Sequence, residues 1–160
     1  MSQRRRLPLA LCLALAACGG VADRYGSPES GYVEDPAAVT GAVDWSEAVV
    51  VTVELSSFEF TPDDLVFRAG TPYALTLVNE SSSAHTFTAP GFFRAIAVRA
   101  LTEVEDATAA ARLESIGLQP GEAKRLDFVP VKPGTYALEC DRPLHDVFGM
   151  TGVLRIEQVG

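Results

Sequence analysis

Four side chains in the second half of the sequence could bind one metal ion together. They are two imidazoles, one thiol and one thioether, at His85, Cys140, His145 and Met150. His85 and His145 are the only histidines of the chain, and Met150 is the only methionine besides Met1. The last three ligand candidates follow the pattern C-x4-H-x4-M, which straddles the end of one predicted strand and the start of the next.

Two imidazoles and a thiolate in a trigonal set, with a thioether as a weak axial ligand, make a mononuclear type 1 copper site. Thiolate and thioether favour Cu(I), whereas imidazole suits both oxidation states, so such a site exchanges one electron with little rearrangement. Zinc is the competing metal, but thioether is a poor zinc ligand, and structural zinc sites usually carry more Cys or His. A Cys–His nucleophile pair is a further possibility, and it would leave Met150 and the inward direction of His85 without explanation.

Short β-strands are the elements expected to carry these side chains. From residue 48 onward, apolar residues alternate with polar ones between turn signals, which predicts an all-β Greek-key sandwich. In this alternation Cys140 and Met150 take the apolar face of their strands, and His85 shares a face with Phe87, so all three should point inward. The predicted strands nearest these residues are 85–88, 134–140 and 151–159.

One stretch, 89–118, departs from the strand pattern. Residues 102–115 are rich in alanine and contain few strand formers, which predicts a short helix that Asp106 could cap. We expect this stretch to be a short helical excursion between the strands that carry His85 and Cys140.

This combination of residues resembles the plastocyanin/azurin family of small type 1 blue copper proteins, the cupredoxins. The similarity covers about residues 48–160 and includes FEFTP at 58–62, HTF at 85–87, GTY at 134–136 and GMTGVL at 149–154. The long ligand loop is more like that of auracyanin or rusticyanin, although Leu144 stands where many members have glycine. The resemblance implies an eight-stranded sandwich with copper at one end and one-electron transfer as the usual role.

Two polar residues near the first histidine could belong to the same site. Asn79 and Thr86 are candidates for partners outside the ligand set that orient His85. Capping of strand ends would explain both residues equally well.

The N-terminus predicts export and attachment to a membrane. Arg4, Arg5 and Arg6 precede an apolar run at 7–17 that is too short to span a bilayer, as in secretory signals. The tetrad LAAC at 15–18 resembles the lipobox of bacterial lipoproteins, in which the cysteine is acylated. We therefore predict a lipoprotein-type signal peptide at 1–17, lipid attachment at Cys18, a flexible linker at 18–47 and a cupredoxin domain at 48–160.

Composition agrees with one globular domain and argues against nucleic acid as a partner. The chain has 160 residues, of which 48% are hydrophobic, and a net charge of −8. Because so acidic a surface repels phosphates, we expect no nucleic-acid binding. Cys140 is the only cysteine of the predicted domain, which excludes a disulfide within it. We also expect the protein to be a monomer.

The leading hypothesis is therefore a copper-binding electron carrier, tethered by lipid to a membrane outside the cytoplasm, on its periplasmic or extracellular face. It would exchange electrons with redox partner proteins. The alternatives are a copper-delivery or copper-sequestering module and an accessory domain of a respiratory or copper-enzyme complex. An enzyme is not expected, because protein ligands would fill the coordination of the single copper and leave no position for a substrate.

Overall fold

Ten strands in two sheets make up half of the described part of the chain. The structure, a computed structural model, describes residues 31–102, 112–143 and 149–160. The strands are β1 (Val49–Ser56), β2 (Glu59–Thr61), β3 (Asp64–Arg68), β4 (Tyr73–Asn79), β5 (His85–Thr88), β6 (Ile96–Leu101), β7 (Ser115–Leu118), β8 (Ala123–Pro130), β9 (Gly134–Glu139) and β10 (Thr151–Glu157). Two short α-helices accompany them, α1 (Pro36–Gly41) and α2 (Pro90–Phe93), together with a 3-10 turn at Trp45–Glu47.

The strands form two five-stranded sheets, as the period-2 pattern predicts. The first sheet has the order β2-β1-β4-β8-β6 and the second has the order β3-β10-β9-β5-β7. Two pairs, β1 with β4 and β3 with β10, run parallel, so the chain crosses between the sheets rather than following one meander. The predicted all-β sandwich is confirmed.

An aromatic cluster fills the space between the sheets. The ring of Phe67 packs against Tyr73, Phe92 and Phe128, with centroids 5.0, 5.4 and 5.3 Å away. Phe92 belongs to α2, a single helical turn that starts with a proline and inserts two buried phenylalanines into the core. Edge-to-face packing of such rings adds about 0.5–1.5 kcal/mol per pair beyond the burial of their area. The core therefore anchors the start of the segment between β5 and β9.

The stretch 89–118 contains more strand than its sequence indicates. A short helix, α2, is present in this stretch, but it lies at Pro90–Phe93, outside the range 102–115 for which the sequence predicts one. β6 and β7 were not predicted, because pairing with β8 and β5 decides their conformation and their own alternation is weak. Most of 102–115, including Asp106, lies outside the described residues, and Ser115 begins β7. The short β2 and β7 help to bring the described strands to ten, where the resemblance implies eight.

The end of the predicted linker contacts the sandwich. The indole nitrogen of Trp45 donates to the carbonyl of Thr40 at 2.9 Å, and the guanidinium carbon of Arg99 lies 4.4 Å from the Trp45 ring centroid. The hydroxyl of Tyr32 donates to the carbonyl of Leu113 at 3.1 Å. Residues 1–30, with the predicted signal peptide and Cys18, lie outside the described residues, so the predicted segment boundaries stay predictions. Within the described part of the chain, no helix has the length and apolarity needed to span a membrane.

Candidate metal centre

Neighbouring strands of the second sheet bring His85 and Cys140 together. His85 is the first residue of β5, and Cys140 directly follows β9. These strands are antiparallel, with Thr88 opposite Glu139, so the start of one lies beside the end of the other. Nδ1 of His85 lies 3.8 Å from Sγ of Cys140, and the two residues are 1% and 0% exposed. Both side chains point inward, as the alternation predicts.

Met150 joins this pair from the next strand. In the antiparallel pairing of β9 with β10, Thr151 lies opposite Glu139, which places Met150 opposite Cys140. The backbone N–H of Cys140 donates to the carbonyl of Met150 at 3.1 Å. Met150 is fully buried and belongs to the same apolar cluster as Cys140. The structure thus places three of the four ligand candidates on adjoining strand ends.

The fourth candidate, His145, falls within 144–148, outside the described residues. In the parts of the chain that the structure describes, no group of three or more His, Cys, Asp and Glu side chains is arranged to hold a metal ion. Met150 would contribute a thioether, which is not one of these side-chain types. The assignment of His145 stays a prediction.

The separation of His85 Nδ1 and Cys140 Sγ fits a shared metal ion. For ligand bonds of about 2.3 Å to thiolate and about 2.05 Å to imidazole, as zinc makes, sulfur and nitrogen lie about 3.8 Å apart at 120° and about 3.6 Å apart at a tetrahedral angle. The 3.8 Å between Cys140 Sγ and His85 Nδ1 matches the trigonal value. A soft thiolate beside an imidazole also suits copper chemically. These residues therefore fit a copper ion.

Asn79 holds the loop that leads to His85. The nitrogen of its side-chain amide lies 2.8, 3.2 and 3.0 Å from the carbonyl oxygens of Ser83, Leu118 and Gln119, which share its two hydrogens, and its carbonyl oxygen accepts the backbone N–H of Ser81 at 3.0 Å. Asn79 is fully buried at the end of β4. It therefore ties β4 to the turn before β5 and to the end of β7, which pairs with β5. Its assignment as a partner that orients His85 stays a prediction.

Thr86 lies between the candidate thiolate and an acidic residue. Its hydroxyl is 3.6 Å from Sγ of Cys140 and donates to Oδ1 of Asp141 at 2.6 Å. In return, the backbone N–H of Asp141 donates to the Thr86 hydroxyl at 2.9 Å. The structure therefore places Thr86 against the cysteine strand, whereas the sequence suggested a role in orienting His85.

Sequence reasoning did not single out Asp141. Alternation along β9 places its side chain on the face opposite Cys140, which suggests only an exposed carboxylate. The strand register could have identified it, because the pairing of Thr88 with Glu139 places Thr86 opposite Asp141. The contact is thus a consequence of the β5–β9 pairing, which the sequence did not predict.

Comparison with known proteins identifies the fold. A family model described as a cupredoxin-like domain matches residues 37–154. Auracyanin from the photosynthetic bacterium Roseiflexus castenholzii, reduced with Na-dithionite, is 19% identical with a TM-score of 0.50, over 69% of this chain and 98% of that chain. Auracyanin B is 23% identical with a TM-score of 0.48, over 72% of this chain and 93% of that chain.

Larger copper proteins contain a similar fold. A multicopper oxidase from Campylobacter jejuni is 16% identical with a TM-score of 0.55, and the match covers 74% of this chain but 31% of the oxidase. No curated protein sequence matches the chain. At these identities, the structural likenesses concern the fold alone.

Proposed function

Because this chain belongs to the cupredoxin-like family, we propose that it binds one copper ion and transfers single electrons. His85, Cys140, His145 and Met150 would hold the ion as a mononuclear type 1 site. Bound copper supplies the Cu(II)/Cu(I) couple. The family and the donor set support copper, and the electron-transfer role rests on the proposed site.

The single observation that carries this proposal is the contact between His85 and Cys140. The buried imidazole of His85 lies 3.8 Å from the buried thiol of Cys140, and polar groups removed from water need such partners. The same pair is what a trigonal metal site requires of its first two ligands.

The chain contributes rigidity and the exclusion of water. His85 and Cys140 lie at the ends of paired strands, and the backbone hydrogen bond from Cys140 to Met150 fixes Met150 beside them. Core side chains such as Phe87 and Leu138 are buried in the same cluster and keep solvent away. Ligands held in this way move little when the charge of the site changes, which favours rapid electron exchange.

We propose further that the protein is not an enzyme. Four protein ligands would leave no open position at which a substrate could bind. The similarity to part of a multicopper oxidase does not alter this proposal, because it concerns the fold.

We propose that lipid on Cys18 tethers the domain to a membrane outside the cytoplasm, where it meets a redox partner protein as a monomer. The signal-like run at 7–17 and the LAAC tetrad support this location. Metabolic labelling with a fatty acid should mark the wild type and leave Cys18→Ala unlabelled. Equal labelling of the two proteins would contradict attachment at Cys18.

The copper site is tested by the visible spectrum of the copper-loaded protein. The wild type should show an intense thiolate-to-copper absorption band and a reversible one-electron voltammetric wave. Cys140→Ser should lose the band, because the hydroxyl of serine cannot replace the thiolate. Thr88→Val is the matched control, since Thr88 is a buried residue of β5 whose hydroxyl contacts Ser115 at 2.7 Å, and it should keep the band.

Two results would contradict the proposal. The first is a band that persists in Cys140→Ser, which would show that another group binds the copper. The second is rapid loss of copper to a chelator without a reversible wave, which would favour a copper-delivery module.

A further inference from the structure

The hydroxyl of Thr86 has two acceptors within reach and one hydrogen to donate. Oδ1 of Asp141 lies 2.6 Å from the hydroxyl oxygen, and Sγ of Cys140 lies 3.6 Å from it. The oxygen itself accepts the backbone N–H of Asp141 at 2.9 Å. Because a hydroxyl carries a single hydrogen, the carboxylate and the sulfur compete for it.

The distances decide this competition in favour of the carboxylate. A separation of 2.6 Å is typical of a charge-assisted O–H···O⁻ bond, which is about twice as strong as a neutral one. Sulfur is a weak acceptor by comparison. The hydroxyl hydrogen therefore points to Asp141, and the sulfur of Cys140 faces the hydroxyl oxygen without receiving its hydrogen.

We propose that Asp141 is a positioning residue that withholds the Thr86 hydrogen from Cys140 and thereby lowers the reduction potential of the metal centre. The inference rests on the proposed copper function. Hydrogen bonding around the cysteine sulfur of such a site tunes its potential, because a hydrogen bond withdraws electron density from the thiolate. A thiolate that accepts no hydrogen from Thr86 donates more strongly and favours Cu(II).

The fold keeps this arrangement in place. Thr86 is only 7% exposed and is held in β5, opposite Asp141 in the paired strands. Asp141 is exposed, so its side chain can be changed without opening a cavity in the core. Removal of the carboxylate should leave the Thr86 hydroxyl in position with only the sulfur as acceptor.

The experiment is a double-mutant cycle on the copper-loaded full chain, with wild type, Asp141→Ala, Thr86→Val and the double variant. Asp141→Ala also removes a negative charge, which raises the potential whether or not the Thr86 hydroxyl is present. The charge effect cancels when the change in potential caused by Asp141→Ala is compared between the wild-type and Thr86→Val backgrounds. We expect Asp141→Ala to raise the potential more in the wild type than in Thr86→Val, and to shift the thiolate-to-copper band of the wild type to higher energy.

A conservative variant separates the hydrogen bond from the charge a second time. Asp141→Asn removes the charge but keeps a carbonyl oxygen that accepts the Thr86 hydrogen. Its potential should rise less than that of Asp141→Ala. Equal rises for Asp141→Ala and Asp141→Asn, or equal rises with and without the Thr86 hydroxyl, would overturn the inference.

The hydrogen bond is also tested without metal. In the metal-free wild type, the NMR resonance of the Thr86 hydroxyl proton should lie downfield, and in metal-free Asp141→Ala it should move upfield. An unchanged resonance would show that Asp141 does not take the hydrogen. If the wild type binds no copper, the proposed function is wrong and the effect on the potential falls with it, but this resonance still decides where the hydrogen points.

Discussion

Nδ1 of His85 and Sγ of Cys140 lie 3.8 Å apart, although 55 residues separate them along the chain. The contact exists in the protein fold itself, through the pairing of β5 with β9. If His85 and Cys140 bind a metal ion as proposed, the sheet already holds both donors in place and little must rearrange, which is the physical basis of the predictions that concern the site.

Met150→Leu tests the thioether as the weak axial ligand. Leucine has nearly the same volume, so the fully buried site should lose less than about 1.5 kcal/mol of unfolding free energy. The thiolate-to-copper band should persist, and voltammetry should show a higher potential, because loss of a donor disfavours Cu(II) more than Cu(I).

The matched control for Met150→Leu is Leu154→Met, a swap of the same size at a buried position of β10. Its potential should equal that of the wild type. If both swaps shift the potential equally, Met150 acts through packing and is not a ligand.

Asn79→Ala should destabilise the fold more than any exposed substitution in the same loop. The amide of Asn79 lies within hydrogen-bond distance of three carbonyls. The carbonyls of Ser83 and Gln119 also accept the Ser81 hydroxyl and the Glu122 N–H, so the removal falls mainly on the buried carbonyl of Leu118. We expect a loss of about 1–3 kcal/mol, measured by urea unfolding. Ser83→Ala is the control, since it keeps the backbone carbonyl that Asn79 binds, and it should change stability by less than about 0.5 kcal/mol.

Gly152→Ala should disturb the start of β10. A Cβ at this position would overlap the backbone carbonyl oxygen of Asp63, which also accepts the N–H of Val153 at 2.7 Å. Backbone must move to make room, and such overpacking typically costs about 1–3 kcal/mol. Gly117→Ala in β7 is the control, because its added Cβ meets nothing within 4 Å. Equal melting temperatures for the two variants would contradict this interpretation of the contact.

Glu122 should make part of the stability depend on pH. The backbone N–H of Gln119, donated to Oε2 at 2.6 Å, holds the pKa of Glu122 below its ordinary value of 4.5. A carboxyl whose pKa is lower in the folded state stabilises the fold above its unfolded pKa, and this stabilisation is lost as the pH falls through the folded pKa. Urea midpoints measured from about pH 6 to about pH 3 should therefore fall less steeply for Glu122→Gln than for the wild type. Parallel curves would exclude this contribution.

Much of the ligand geometry follows from local alternation. The inward directions of His85, Cys140 and Met150 could be predicted because a buried sheet face requires apolar or paired side chains at every second residue. The strands β5 and β9 were likewise predicted to within about one residue at each end. The inward directions of the three ligand candidates agree with the structure.

Pairing between distant strands could not be predicted in the same way. β6 and β7 gain their conformation from β8 and β5, and local sequence carries little of that information. The contacts of Thr86 with Asp141 and of Asn79 with Leu118 depend on register, so composition and spacing alone suggested only vague roles for these polar residues.

By itself, the sequence determined an all-β domain, the family resemblance, and a rare set of soft and imidazole donors at spacings that suit one metal ion. Only the tertiary structure decided which atoms meet: His85 Nδ1 with Cys140 Sγ, and the Thr86 hydroxyl with Asp141. The reason is physical. Side-chain direction is set by the two-residue period within one strand, whereas contact between strands is set by pairing over long chain separations.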